Sequence, residues 1–209
     1  MISRIAYASC YVYSPSGVGL VCEHSRLLCA LLKAGDAHFM LKYAVRVHQQ
    51  AQKSPQLAGF FRATDVLVPV PGSAPKPCRD PWVAADLADA LVHEGLGSTV
   101  WPGLRRISAV RKSATSTPGA RPSVSRHYES FLMERPPMAL ASIVLIDDVV
   151  TKGRTLLAAA TRLQEAFPDA EIRAFALLRT LGLIPSVQRL LDPCRGEIRW
   201  KGGDAHRNP

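Results

Sequence analysis

Apolar residues along this chain occur in two patterns that alternate with each other. VLVPV (66–70) and IVLI (143–146) are unbroken apolar runs, each followed by turn-forming or charged residues. Such runs predict strands of a parallel sheet buried on both faces. Between them, Trp82, Ala85, Leu87, Ala88 and Leu91 recur at helical spacing. They predict a helix over 81–95, with Pro81 in its first turn and Gly95 and Gly97 at its end. Leu156, Leu157, Ala160, Leu163 and Phe167 predict a second such helix over 154–167, stopped by Pro168. Short strands are expected over 98–101 and 172–178. Strands that alternate with helices from 65 to 178 imply an α/β fold, a parallel sheet with helices on both faces.

The flanking regions carry weaker patterns. Residues 1–20 alternate loosely (Ile5, Tyr7, Tyr11, Tyr13) around Pro15, Gly17 and Gly19, and read as short strands or loops. Ser25 suits the cap of a helix that runs to Ala34 and ends at Gly35. Phe39, Tyr43, Val47 and Ala51 predict another helix over 38–53, closed by Pro55. Beyond 180, a short helix over 184–191, a strand at RGEIRW (195–200) and a loose tail over 206–209 are expected. The expected organisation is an N-terminal hood or helical segment (1–63), a core (64–180) and a C-terminal extension (181–209). No internal repeat is visible.

Charge sharpens this picture. The chain has 209 residues and a formal net charge of +9, which points to an anionic partner, either nucleic acid or a polyphosphate metabolite. Arg105, Arg106, Arg111, Lys112, Arg121 and Arg126 crowd one Ser/Thr-rich segment with little to bury. That segment is either a functional loop or a solvated insertion. No apolar run approaches the roughly 20 residues needed to cross a bilayer. The N-terminus is a poor signal peptide, so a soluble cytoplasmic protein is expected. The five cysteines (Cys10, Cys22, Cys29, Cys78, Cys194) form no C-x-x-C pair and no disulfide framework is expected. Three of them lie near His24 and His38, which leaves a zinc site open beside the simpler reading of buried or free thiols.

The chemistry concentrates in IVLIDDVVTKGRT (143–155). Ligands of open parallel sheets sit beyond the carboxyl ends of the strands. Asp147 and Asp148 stand at such an end, where two buried carboxylates without partners would be costly. A ligand that offers hydroxyls or a metal-bound group resolves that cost. Val149 to Thr155 then leads into a helix N-terminus, where backbone N–H groups and the dipole favour an anion. Gly153 permits close approach of the backbone, Thr151 and Thr155 can donate hydroxyl hydrogen bonds, and Lys152 and Arg154 add positive charge. Acids for ribose hydroxyls and a loop for phosphate together suit a sugar phosphate. A strand that merely happens to carry two acids before a helix is the plain alternative.

This stretch resembles the phosphoribosyl pyrophosphate (PRPP) signature of type I phosphoribosyltransferases: apolar residues, two acids, two apolar residues, then T-x-G-x-T. DVLVPVPGS resembles the strand and loop that hold the pyrophosphate in that family, and V-P-V-P looks like the ComF group of competence-associated proteins. The resemblance covers about 64–180. It implies a Mg²⁺- and PRPP-dependent pentosyl transfer to an unidentified, nucleobase-like acceptor. Asp147 and Asp148 would hold the ribose hydroxyls, directly or through Mg²⁺-linked water, with no metal ligated directly by side chains. Val149, Val150, Thr151, Lys152, Gly153, Arg154 and Thr155 would hold the 5′-phosphate, and Val70, Pro71, Gly72 and Ser73 the pyrophosphate. Lys112, with Arg111 or Arg121, would act on the leaving pyrophosphate, although each is equally a solvated charge. A homodimer is common in the family, but no stretch here marks an interface. The departures are the missing C-x-x-C pairs, SAPKPCRDPW in place of the ComF RGFNQ-type motif, and no clear Q-x-x-L or R-x-x-N. They leave room for another reading, a non-catalytic PRPP-binding or single-stranded nucleic-acid-binding protein.

Overall fold

The computed structural model describes residues 1–75, 82–110, 122–134, 139–182 and 184–209. In chain order its elements are β1 (Arg4–Tyr13), α1 (Leu20–Ala34), α2 (Ala37–Lys53), β2 (Val66–Pro69), α3 (Val83–His93), β3 (Thr99–Val100), β4 (Leu104–Arg106), α4 (Val124–Glu129), β5 (Phe131–Met133), β6 (Ser142–Val150), α5 (Arg154–Ala166), β7 (Glu171–Thr180), β8 (Leu191–Lys201) and β9 (Asp204–Asn208).

Seven strands form one sheet in the order β3-β2-β6-β7-β1-β8-β9, and β4 pairs with β5 in a separate ribbon. β3, β2, β6, β7 and β1 run parallel, whereas β8 is antiparallel to β1 and β9 to β8. β6 is central because both of its faces are apolar. Ile143 and Leu145 pack with Leu156, Leu157 and Leu163 of α5 on one side. Val144 and Ile146 pack with Leu28 and Leu32 of α1, Met40 and Val47 of α2, and Leu87 and Leu91 of α3 on the other. All of these side chains are almost wholly buried. Truncating one of the leucines to Ala would cost about 2–5 kcal/mol. The α/β reading with helices on both faces therefore holds.

Several expectations need correction. Residues 14–19 form the expected loop, but the strand before it is not short. β1 is ten residues long and lies inside the sheet between β7 and β8. It lacks clean alternation because helices cover one face and a buried polar group (Tyr7, Ser9, Cys194) occupies the other. The segment expected to form a hood thus supplies an interior strand. α1 begins at Leu20, and Ser25 sits buried inside it, its hydroxyl donating to the Cys22 carbonyl at 2.7 Å and accepting from the Ser14 N–H. Its end at Gly35 is as expected: this residue takes φ +72°, which favours glycine. α2 is capped by Asp36, whose carboxylate accepts from the Phe39 N–H at 2.8 Å. No helix forms over the described part of 184–191. The expected loose tail is β9, paired with β8 from Asp204 to Asn208. The basic segment holds β4 and α4 at its two ends, while Arg111, Lys112 and Arg121 lie outside the described residues, as do Cys78 and Pro81. No helix among the described residues is long and apolar enough to cross a membrane.

Candidate anion and sugar site at the carboxyl edge of the sheet

β6 runs on through the acids to Val150, so Asp147 and Asp148 lie within its last turn of pleat rather than beyond it. Asp147 pairs across with Ala176 of β7. The carboxylate of Asp147 accepts from the Asp148 N–H at 2.9 Å, and that of Asp148 accepts from the Val149 N–H at 2.7 Å. Burial, and next the neighbouring Asp148 charge, raise the Asp147 carboxyl well above its ordinary range. Lys33, at the end of α1, brings its ammonium to 3.7 Å from Asp148. Burial opposes the Lys33 charge, but the carboxylate of Asp148 prevails and raises its pKa.

The chain then turns through Thr151, Lys152 and Gly153 into α5. Gly153 has φ +85°, and a Cβ built on it would fall 2.6 Å from Ile198 Cδ1 of β8. Both the left-handed backbone and the contact demand glycine. The turn brings the first N–H groups of a thirteen-residue helix to the cleft lined by Asp147 and residues 149–156. Within that cleft Thr151 and Thr155 are half-buried, whereas Val150 is 2% exposed and contributes backbone only.

The two cations of the turn are already engaged. The Arg154 guanidinium donates to both carboxylate oxygens of Asp204 on β9, at 2.6 Å from Nη2, and to the Pro122 carbonyl at 3.1 Å. The Lys152 ammonium lies 3.3 Å from the same carboxylate. Hydrogen bonding from Arg154 holds Asp204 well below the usual carboxylate range. Lys152 and Arg154, the cations expected at the phosphate, both pair with Asp204 of β9, and these pairs brace the turn.

Loop 70–73 lies beside the acids because β2 pairs with β6, and the Val70 N–H donates to the Ile146 carbonyl at 2.8 Å. Val70 and Pro71 are buried, leaving Gly72 and Ser73 to face outward. Trp82 Nε1 donates to the Val70 carbonyl at 2.9 Å. Below the loop sits Arg106 of β4, 6% exposed. It donates to the carbonyls of Pro71 and Gly72 and to Ser130 Oγ, and stacks 4.2 Å from the centre of the Phe131 ring. Burial lowers its pKa to about 10, with Asp147 acting in the other direction. The basic composition pointed to this arginine's segment, but its role as the buried anchor of the loop depends on contacts with distant backbone carbonyls. Arg207 of β9 similarly donates to the Val150 and Thr180 carbonyls, tying the ends of β6 and β7.

Among the described residues no group of three or more His, Cys, Asp and Glu side chains is arranged to hold a metal ion. Cys10, Cys22, Cys29 and Cys194 are free and buried. The acid pair offers hard oxygen donors, which suit a Mg²⁺ held by one or two carboxylates and by the phosphates of its substrate.

No protein-family model matches the chain, and no curated protein matches it in sequence. The narrower ComF resemblance therefore finds no support. Among solved structures, the chain is similar to a hypoxanthine phosphoribosyltransferase from Staphylococcus aureus. The identity is 11%, the match covers 72% of this chain and 70% of that one, and the TM-score is 0.38. A likeness this faint carries no weight beside the geometry.

Proposed function

We propose that this protein binds PRPP with Mg²⁺ and transfers its phosphoribosyl group to an acceptor. One observation carries the reading. An acid pair, a glycine turn at a helix N-terminus and the loop after the neighbouring parallel strand meet at the carboxyl edge of β2 and β6.

Each part has a task that follows from its chemistry. Asp147 and Asp148 accept hydrogen bonds from ribose hydroxyls, and the cation bound with the substrate adds to the positive charge that Lys33 brings to the pair. The 5′-phosphate is received by the backbone N–H groups of 151–155 and the hydroxyls of Thr151 and Thr155. The side chains of Lys152 and Arg154 act at one remove, by fixing the turn against Asp204. Gly72 and Ser73 face the pyrophosphate, on a loop held from beneath by Arg106. In such a transfer the protein chiefly positions its partners and stabilises developing charge.

Calorimetry of PRPP with Mg²⁺ tests the proposal directly. Wild type should bind, and the folded Asp147→Asn/Asp148→Asn double variant should not. A folded wild type that ignores PRPP overturns the reading. The net charge of +9 favours a second reading, retention of single-stranded nucleic acid without transfer. That reading requires affinity that falls steeply with salt and survives the double substitution.

A further inference from the structure

The six-residue helix α4 spans the two halves of the site. At its start, Arg154 of α5 holds the Pro122 carbonyl, and at its end Arg106 of β4 holds Ser130 Oγ. Between those anchors lies His127, 4% exposed. Its backbone is fully used: the N–H donates to the Ser123 carbonyl, and its carbonyl accepts from the Ser130 N–H and, at 2.6 Å, from the Ser130 hydroxyl. Neither ring nitrogen has a hydrogen-bond partner among the described residues. Such a group calls for an explanation in a native interior.

The surroundings of the ring suggest one. The charged groups acting on it are Arg106 from β4 and Arg154 from α5. Asp204 of β9 stands behind Arg154, and Asp147 of β6 acts on Arg106. On α4 itself Arg126 and Glu129 are exposed, and the Tyr128 hydroxyl is bound to Arg162 and Glu165 of α5. The two cations that act on the imidazole are thus the ones that hold the two half-sites. Burial first, then Arg106 and Arg154, lower its pKa to about 4.

We propose that His127 is a proton-linked positioning residue. A phosphate-class dianion in the cleft would offset the charge of Arg106 and Arg154, and the ring would then take a proton from solvent. The inference rests on the reading of the cleft as an anion site. Linkage makes it reciprocal: if the anion favours the protonated ring, protonation favours the anion by the same factor. Affinity for the anion therefore rises as the solution is made mildly acidic. The effect acts through the two arginines, without a contact between ring and ligand.

The probe is sulfate, which stays a dianion across the acidic range. The His127 Cε1–H signal, assigned by its loss in His127→Phe, is titrated by NMR with and without sulfate, and sulfate binding is measured by calorimetry in the same solutions. Without sulfate the midpoint should lie near 4. With saturating sulfate it should rise by about one unit or more, a tenfold linkage. In His127→Phe the acid-driven gain in sulfate affinity should fall clearly below that of wild type, leaving only the part that protonation of Asp147 supplies. If that variant does not fold, the wild-type midpoint decides alone, with assignment from His127→Gln. Sulfate that binds without moving the midpoint overturns this inference and leaves the PRPP reading standing. A folded protein that binds neither sulfate nor PRPP overturns both.

Discussion

Both ends of the central sheet hold aspartates, but in opposite circumstances. At the amino end, Asp65 is wholly buried and fully matched. Arg173 of β7 donates to it at 2.6 Å, the Ser142 hydroxyl at 2.7 Å and the Arg62 N–H at 2.7 Å. At the carboxyl end, Asp147 receives one backbone N–H and faces a second carboxylate. The same residue type is a rivet at one end and a candidate site at the other. A buried acid that closes its own network explains itself structurally. One that repels its neighbour at a strand's carboxyl edge is a candidate for binding instead.

The contrast can be broken most severely at the amino end. Asp65→Ala would leave the buried Arg173 without its counter-charge and should cost about 3–5 kcal/mol in urea unfolding. Next comes the glycine turn. Gly153→Ala should cost about 1–3 kcal/mol and weaken PRPP binding, because it adds left-handed strain and a clash with Ile198. Adding Ile198→Ala should relieve the clash but not the strain, a partial recovery that a double-mutant cycle would resolve.

Asp147→Asn has the opposite sign. Because the Asp147 carboxyl is held above its ordinary 3.8, the folded state keeps that proton longer than the unfolded chain does. Its contribution is fully present below the ordinary value and is lost as pH rises through the elevated one. The amide should therefore stabilise the protein by about 1 kcal/mol at neutral pH, while removing PRPP binding. Loss of stability at neutral pH would show that Asp147 is a rivet like Asp65. The smallest effect belongs to the brace. Asp204 is held below its ordinary range, so its stabilisation is present above that value and lost as pH falls through the depressed one. Asp204→Asn should cost at most about 1 kcal/mol at neutral pH, and less in strong acid, as read from Tm.

The sequence made the central unit legible. An unbroken apolar run followed by helical spacing locates the start of β6 and both ends of α5 almost to the residue, since buried parallel strands and amphipathic helices have distinct periods. The run stops at Ile146, however, while β6 continues through the acids to Val150. The acids and the glycine were equally plain, because their positions follow from local chain direction. The partners of those residues were not. Asp204 meets Arg154 across the turn from β9, a short polar strand (DAHRN) that reads as a tail because only its pairing with β8 makes it a strand. Arg106 looks like one more charge in a basic stretch, and its value lies in carbonyls contributed by residues 71 and 72. A helix is expected over 184–191, with Pro185 suited to its first turn, but none forms among the described residues of that region.

The placement of β1 also has a consequence in time. Its neighbours in the sheet are β7 and β8, with Ala6 opposite Arg173 on one side and Glu197 on the other. β1 is made well before β7 and β8, so both of its edges stay unpaired until those strands follow. During synthesis RIAYASCYVY is an apolar, unpaired ribbon, the kind of segment that invites association with other chains. Contacts so distant in sequence also make closure of the sheet slow. The central strand pair can form while the rest is still being assembled, but the sheet has no continuous path to β8 and β9 until β1 is in place. The brace of the candidate site by Asp204 is thus a late event, and a chain stalled before it would carry the acid pair and the glycine turn without their support.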